Sequence, residues 1–435
     1  MSNRTDCGTR DHFHRRTLFK AAGAASALWL TPVAEQLARA AESQPRGTGA
    51  KSIIMLWMQG GPSQLETFDP KPGAAISYGT EAIDTAVPGI QLAKGLEPLA
   101  EIMQDISIVR SVTSKEGDHE RAVYNGKTGF RPDPTLVHPS LGAVACSMLH
   151  DNVEIPRHVS ILPGPFPARG GYLGDQYDAF KIYDPRKRIP DVTKRVSDER
   201  FKRRAKDLEI LEANFQRRRI IRMNENKTLH ETSIQAALKM MSSEQLKAFD
   251  VAEVPESERA PFGDHPFGRG CLAAARLIEV GVRCVEVTLN GWDTHANNHA
   301  GCKIQTDILG PAYASLIKYL KQRDLLKHTV VICGGEFGRT PRLNGIEGRD
   351  HWPHGFSICL SGGGIQGGRV VGETSPEPKM EKEHWDQNVA DPHNVADIHA
   401  TVLHALGIDF KRELQTPIQR PMIISQGSVI EELLA

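Results

Sequence analysis

Neither sign of charge dominates this chain: 53 Lys and Arg face 53 Asp and Glu over 435 residues. Without a basic excess it lacks the electrostatic footprint of a nucleic-acid binder. Paired C-x-x-C spacing is missing as well, which excludes zinc ribbons, thioredoxin-like redox motifs and c-type haem attachment. No transmembrane segment is expected in the mature chain, and the short alanine-rich apolar run before it, Ala21 to Leu30, is too brief to span a bilayer comfortably.

That short run has another use. His14-Arg15-Arg16-Thr17-Leu18-Phe19-Lys20 precedes it and Ala38-Arg39-Ala40 follows it, a pattern that resembles a twin-arginine export signal cut near Ala40. The expected destination is the periplasm or the extracellular space, reached by a route that carries folded proteins. Residues 1–40 are therefore set aside as signal, 41–50 as a polar, glycine-rich linker, and 51–435 as one large domain. Cys7 would leave with the signal. Of the six remaining cysteines, Cys333 and Cys359 sit in apolar runs and read as small core residues, and the sequence leaves a disulfide among the others open.

Along the mature chain apolar, strand-like runs alternate with amphipathic stretches. Strands are expected at Ser52–Met58, Asp105–Val109, Val159–Leu162, Arg283–Leu289, from Thr329, and at Phe356–Leu360. Helices are expected at Ser140–His150, Gly268–Val280, Ile304–Arg323 and Asp397–Leu406, the last stopped by Gly407. Between them, Ser197–Phe249 is dense in Lys, Arg and Glu interleaved with apolar residues at helical spacing. It reads as a helical insertion at about 191–260, its last helix capped by Ser242 with Gln245, and Arg217-Arg218-Arg219 as a solvated helix face. The alternation predicts an α/β fold with a largely parallel sheet covered by helices on both faces.

Polar clusters follow strand after strand: Gln59 to Asp69, Ser111 to Glu120, Asp293 to His299, and Glu336 to His354. Parallel strands present all their carboxyl ends on one edge, so the four clusters should converge there. Asp293 and His295 are spaced to reach one ion, and His351 completes a three-ligand set; Glu336 suits a second ion or the support of a ligand, and Asp350 adds a further carboxylate. Arg339 or Arg349 suits a planar grip on a tetrahedral oxyanion. The residues also fit a plainer account. In it Glu336 pairs with Arg339 or Arg349 on a solvated loop, His351 and His354 are surface histidines, and Asp293-Thr294-His295 is an Asx-turn.

Gly60-Gly61-Pro62-Ser63, Phe68-Asp69-Pro70-Lys71-Pro72, Gly291-Trp292-Asp293-Thr294-His295, Glu336-Phe337-Gly338-Arg339-Thr340-Pro341 and Gly348-Arg349-Asp350-His351-Trp352 resemble the exported bacterial family called domain of unknown function 1501. That family is in turn similar to the alkaline phosphatase and sulfatase superfamily. The resemblance implies an alkaline-phosphatase-like domain with metal on one sheet edge, with Asp293, His295 and His351 matching a first metal site in type and order. Gln59 and Glu336-Phe337 fall where the superfamily has its other ligands, so the second site is degraded. Thr128-Gly129-Phe130-Arg131-Pro132 resembles a sulfatase element, but no Cys-x-Pro-Ser-Arg precedes it, which speaks against a formylglycine sulfatase.

The resulting expectation is an exported metal-dependent hydrolase of phosphate or sulfate esters, acting on a small anionic or sugar-ester substrate. The divalent ion would be zinc, calcium or manganese, held by Asp293, His295, Glu336, Asp350 and His351. Catalysis would draw on Arg339, on a hydroxyl among Ser111, Thr113 and Ser114 with Thr113 ranked first, or on His119, which stands where a nucleophile belongs. The alternative is a non-catalytic binding or assembly module that keeps the fold, for which the residues at Gln59, Glu336 and His119 speak. Neither reading names a protein partner.

Overall fold

The computed structural model describes residues 50–149, 153–187, 189, 192–217 and 229–434. The expected signal with Arg15 and Arg16, most of the expected linker, and Arg218 and Arg219 lie outside the described residues. Nine strands form the main sheet: β1 (Ser52–Gln59), β2 (Ile106–Thr113), β3 (His158–Ile161), β4 (Phe180–Ile182), β5 (Cys284–Asn290), β6 (Thr329–Gly334), β7 (Phe356–Ser361), β8 (Val370–Val371) and β9 (His393–Asn394). Their order is β8-β2-β7-β6-β1-β5-β3-β4, with β9 also beside β2.

All neighbours are parallel except β7, which runs antiparallel to both β2 and β6. The exception matters for the site. A strand that returns antiparallel needs no crossover, so the whole 335–355 connection stays on the edge where β6 ends and β7 begins. The carboxyl ends of β1, β2, β5 and β6 open onto that same edge.

Alternation along β1 shows how the sheet is buried. Ile54, Leu56 and Met58 face one core, which also holds Phe267, Leu272, Leu309 and Leu316. Those residues belong to helices α5 (Pro266–Glu279) and α6 (Asn298–Gln322). Ile53, Met55 and Trp57 face the other, with Val123, Val144, Ile398 and Val402 from α1 (His119–Thr128), α2 (Leu141–Met148) and α7 (Val395–Ala405). Each side chain follows the period-two rule of a strand, and a strand apolar at every position is one covered on both faces.

The insertion contributes α3 (Asp198–Arg217) and α4 (Leu229–Ser242). The cap lies one residue later than expected. The Ser242 hydroxyl donates back to the carbonyls of Leu238 and Lys239, so α4 ends there. Ser243 accepts from the Gln245 amide and opens a 3₁₀ turn, not an α-helix. Helix α6 begins at Asn298, a full turn and more before the apolar pattern, its polar first turn held by the Asn298 amide donating to the Glu347 carbonyl and the Thr294 hydroxyl donating to Asn298 Oδ1. The thiols of Cys271, Cys284, Cys302, Cys333 and Cys359 are free and buried, as expected for Cys333 and Cys359. Among the described residues no helix is long and apolar enough to cross a membrane.

His399 on α7 ties that helix to α1, its Nε2 lying 2.9 Å from the Gly126 carbonyl. Burial pushes its pKa down to about 4. A group depressed below its unfolded value near 6.5 supplies stability that is whole above that pH and drains away as pH falls toward 4. The expected loss is about 2 kcal/mol at pH 5 relative to pH 7, from about 1.4 kcal/mol per pH unit across the interval. Unfolding measured against pH should show a shallower acid limb in His399→Gln, and superimposable slopes would contradict this assignment.

Candidate metal centre

Beside the β2–α1 connection, three further loops meet at the carboxyl edge: one leaves β1 at Gly60, one leaves β5 at Gly291, and the third is the 335–355 connection. Gly60 has φ of +118°, and a Cβ on it would stand 2.5 Å from the backbone nitrogen of Asp293. Only glycine lets the first loop press on the second. Gly348 brings in the third loop, since a Cβ there would fall 1.8 Å from the His295 carbonyl oxygen. Within that third loop, Gly338-Arg339 pairs antiparallel with His351-Trp352, setting His351 opposite Arg339.

Arg339 fixes Asp293. Its guanidinium is fully buried and donates to the carbonyls of Gly60, Gly61 (2.8 Å) and Arg349 (3.0 Å), and to Asp293 Oδ1 at 2.5 Å. Four of its five N–H groups are engaged internally, so it positions a carboxylate and presents no fork to a substrate. Arg349 is just as enclosed. It donates to the carbonyls of Thr340, Pro341 and Ile76 and to Glu66 Oε1 at 2.8 Å.

Three imidazoles surround Asp293 Oδ1, with His119 Nε2 at 3.4 Å, His295 Nε2 at 3.3 Å and His351 Nε2 at 3.5 Å. His295 Nε2 and His351 Nε2 lie only 2.9 Å apart. Every far nitrogen is anchored: His119 Nδ1 to Glu336 Oε1 at 2.8 Å, His295 Nδ1 to Asp350 Oδ1 at 2.9 Å, and His351 Nδ1 to the Gly117 carbonyl at 2.8 Å. Ionised carboxylates and carbonyls only accept, so each Nδ1 carries a hydrogen, and a ring without a second proton turns the lone pair of Nε2 inward. Lone pairs facing each other at 2.9 Å repel unless a proton or a cation stands between them. His119 Nε2 is moreover buried without a hydrogen-bond partner. The donor set therefore fits a divalent ion, with the far nitrogens held by carboxylates and a carbonyl as in metal-binding histidines generally. His119, Asp293 and His351 offer ligand atoms that all lie within 4.8 Å of one another.

The electrostatics follow from these contacts. The hydrogen bond to Glu336 raises the pKa of His119 against the opposing effect of burial, whereas burial lowers that of His351. Burial also works to raise Asp293, but Arg339 and the neighbouring imidazoles outweigh it and the carboxyl titrates below its usual range. Asp350 is lowered by its hydrogen bond with His295. Asp293 and His295 are each nearly half exposed, which leaves the centre open to solvent on one side.

Of the residues singled out in the sequence, Asp293, His295 and His351 come together and His119 joins them. Glu336 and Asp350, expected as ligands, hold His119 and His295 by their Nδ1 atoms. Thr113 is engaged elsewhere, its hydroxyl donating to the His393 carbonyl at 3.3 Å. Ser114 donates to Asn125 Oδ1, and Ser111 is buried against Gly372. Two contributors escaped sequence reasoning. Phe337 is fully buried with its ring centroid 5.0 Å from His119 and 4.4 Å from His351; its place directly after Glu336 was the available signal. The Gly117 carbonyl, as backbone, gave none.

Fold and site together define an α/β protein with a histidine and carboxylate centre at the carboxyl edge of a mostly parallel sheet. The chain belongs to the family described as protein of unknown function DUF1501, which matches residues 50–434. Among curated proteins none matches it. Among solved structures it is similar to the alkaline phosphatase from the Antarctic bacterium TAB5, at 13% identity over 74% of this chain and 95% of that one, with a TM-score of 0.30. It is also similar to the PsFucS1 sulfatase from Pseudoalteromonas sp. (11% identity, 86% of this chain, 71% of that one, TM-score 0.38). The lipoteichoic acid synthase LtaP from Listeria monocytogenes is a third (11% identity, 84% of this chain, 75% of that one, TM-score 0.37). At such identities and TM-scores the likeness carries no argument about activity.

Proposed function

We propose that this edge is a metal-dependent hydrolytic site for phosphate or sulfate esters or a related small anionic substrate. The observation that carries the reading is the convergence of three imidazole Nε2 atoms on Asp293 Oδ1 with all three Nδ1 atoms anchored. A divalent ion bound there would polarise an ester oxygen and make water acidic enough to supply a nucleophile near neutral pH. Asp293 and the three histidines would hold that ion, and Arg339 fixes the carboxylate among them. Glu336 and Asp350 keep the Nδ1 protons of His119 and His295 in place, which preserves the inward lone pairs. Ester and water enter from the half-exposed side of Asp293 and His295. Because Thr113 and Ser114 already donate to protein acceptors, the attacking oxygen is assigned to solvent.

A second reading, a binding or assembly module, has one specific observation in its favour: Arg339 and Arg349 are both buried with most of their N–H groups donating to protein acceptors. A panel of phosphate and sulfate mono- and diesters, run with zinc-loaded protein beside His351→Ala, separates the two. The hydrolase reading expects turnover that the substitution lowers by at least about 100-fold, the scale of effect seen when charge-stabilising groups are lost. A zinc-loaded, folded protein inert across the panel would favour the module.

Export remains a proposal resting on Arg15-Arg16 and the apolar run after them. Changing both arginines to lysine should retain the protein in the cytoplasm on fractionation; undiminished export would rule the signal out.

A further inference from the structure

We propose that His119 is a direct donor in a four-residue set with Asp293, His295 and His351, and that this set takes a single nitrogen-preferring ion of the zinc class. On this proposal the tips of β1 and β6 form a hydrogen-bonded support and hold no second ion. The inference rests on the metal reading above and deepens it by fixing donor identity, ion class and stoichiometry.

Donor chemistry sets the ion class. Three imidazole nitrogens and one carboxylate oxygen suit zinc and its neighbours, whereas calcium takes six to eight oxygen ligands and manganese prefers carboxylate, carbonyl and water. His119 opens helix α1 after β2, with Asp118 as the N-cap. Its ring is fixed from three sides: the Nδ1 bond to Glu336, Phe337 at 5.0 Å, and the edge of His351 at 4.4 Å between centroids. A ring so held, with a buried Nε2 that has no protein partner and points at the same oxygen as two other histidines, is placed to bind.

The stoichiometry follows from what Gln59 and Glu336 are already doing. Gln59 uses both ends of its amide, accepting from Trp57 Nε1 at 3.0 Å and donating to Glu336 Oε1 at 3.1 Å. Glu336 Oε1 also accepts from the Gly60 amide at 3.0 Å and from His119 at 2.8 Å. Three donors exceed the roughly two lone-pair sites of one carboxylate oxygen, so none is left for a ligand bond. Glu336 Oε2 is buried and without a hydrogen bond. A second ion at that oxygen would need further anionic or imidazole donors, and the cluster of such groups found among the described residues, His119, Asp293 and His351, does not include Glu336.

The test uses the full chain, stripped with a chelator and titrated with zinc alone, calcium alone and cobalt alone. Bound metal is counted by elemental analysis, and the visible spectrum of the cobalt form reports its donors. The expected result is one zinc per chain, no calcium at matched concentration, and a cobalt spectrum that shifts in His119→Ala. His119→Ala should weaken zinc by more than the roughly 10–100-fold that loss of an outer hydrogen-bond partner costs, and Glu336→Gln by an amount within that range, still at one ion per chain. Circular dichroism confirms folding, and His119→Gln serves if the alanine variant does not fold. Two zinc ions per chain, or an unchanged affinity and cobalt spectrum in the His119 variant, would overturn this inference alone. No bound metal would overturn it together with the hydrolase reading, while one zinc with no ester turnover would support it and count only against hydrolysis.

Discussion

Asp293→Ala should strip the centre of its ion, lowering zinc affinity by more than about 100-fold, beyond the cost of losing an outer partner. The reason is geometric. Asp293 Oδ1 is the one atom that all three Nε2 atoms face, at 3.3–3.5 Å, and it is the only anionic oxygen among the four donors. Without it a cation would meet three neutral rings with the Arg339 guanidinium close behind, its hydrogen-bond partner gone. Thermal unfolding gives the readout. Zinc at a hundred times its dissociation constant stabilises a binding protein by about 2.7 kcal/mol, so the wild-type midpoint should rise with zinc and that of Asp293→Ala should not. Equal rises would mean the ion binds elsewhere.

Arg339→Ala should cost several kcal/mol of stability, because each buried carbonyl left without a donor costs about 1–3 kcal/mol. The side chain is fully buried, and its loss leaves the carbonyls of Gly60, Gly61 and Arg349 without donors as well as releasing Asp293. Arg339→Lys should restore little, since one ammonium on a flexible stem cannot meet four acceptors in a plane. Urea unfolding in the presence of chelator isolates this effect from metal binding. A change below about 1 kcal/mol, as for an exposed pair, would contradict the positioning role assigned to Arg339.

Much of this architecture is legible in the sequence because the relevant signals are local. The run from Ser52 is apolar at every position and becomes a strand covered on both faces; the Asp397–Leu406 pattern becomes α7, capped reciprocally by Asn394 and Asp397. Asp293, His295 and His351 are legible for the same reason, each following a strand whose end had to reach one edge. What stays hidden depends on tertiary approach. Whether Glu336 ligates or supports turns on which atom His119 Nδ1 meets across more than two hundred residues, and no spacing rule encodes that. The two arginines illustrate the limit from the other side. In sequence they are cations beside a metal-like cluster, and an anion grip is the natural reading; in the fold both lie under the loops, bound to backbone carbonyls. The antiparallel turn of β7 was likewise invisible, since a short apolar run reads the same in either direction.

The central claim is that one ion stands among His119, Asp293, His295 and His351, and an anomalous difference map from zinc-loaded crystals, measured at the zinc edge, tests it most directly. The account predicts one peak per chain, about 2.0–2.2 Å from the three Nε2 atoms and from a carboxylate oxygen of Asp293. A map with no peak there, or with its strongest peak on Glu336 or Asp350 away from the three rings, would contradict it.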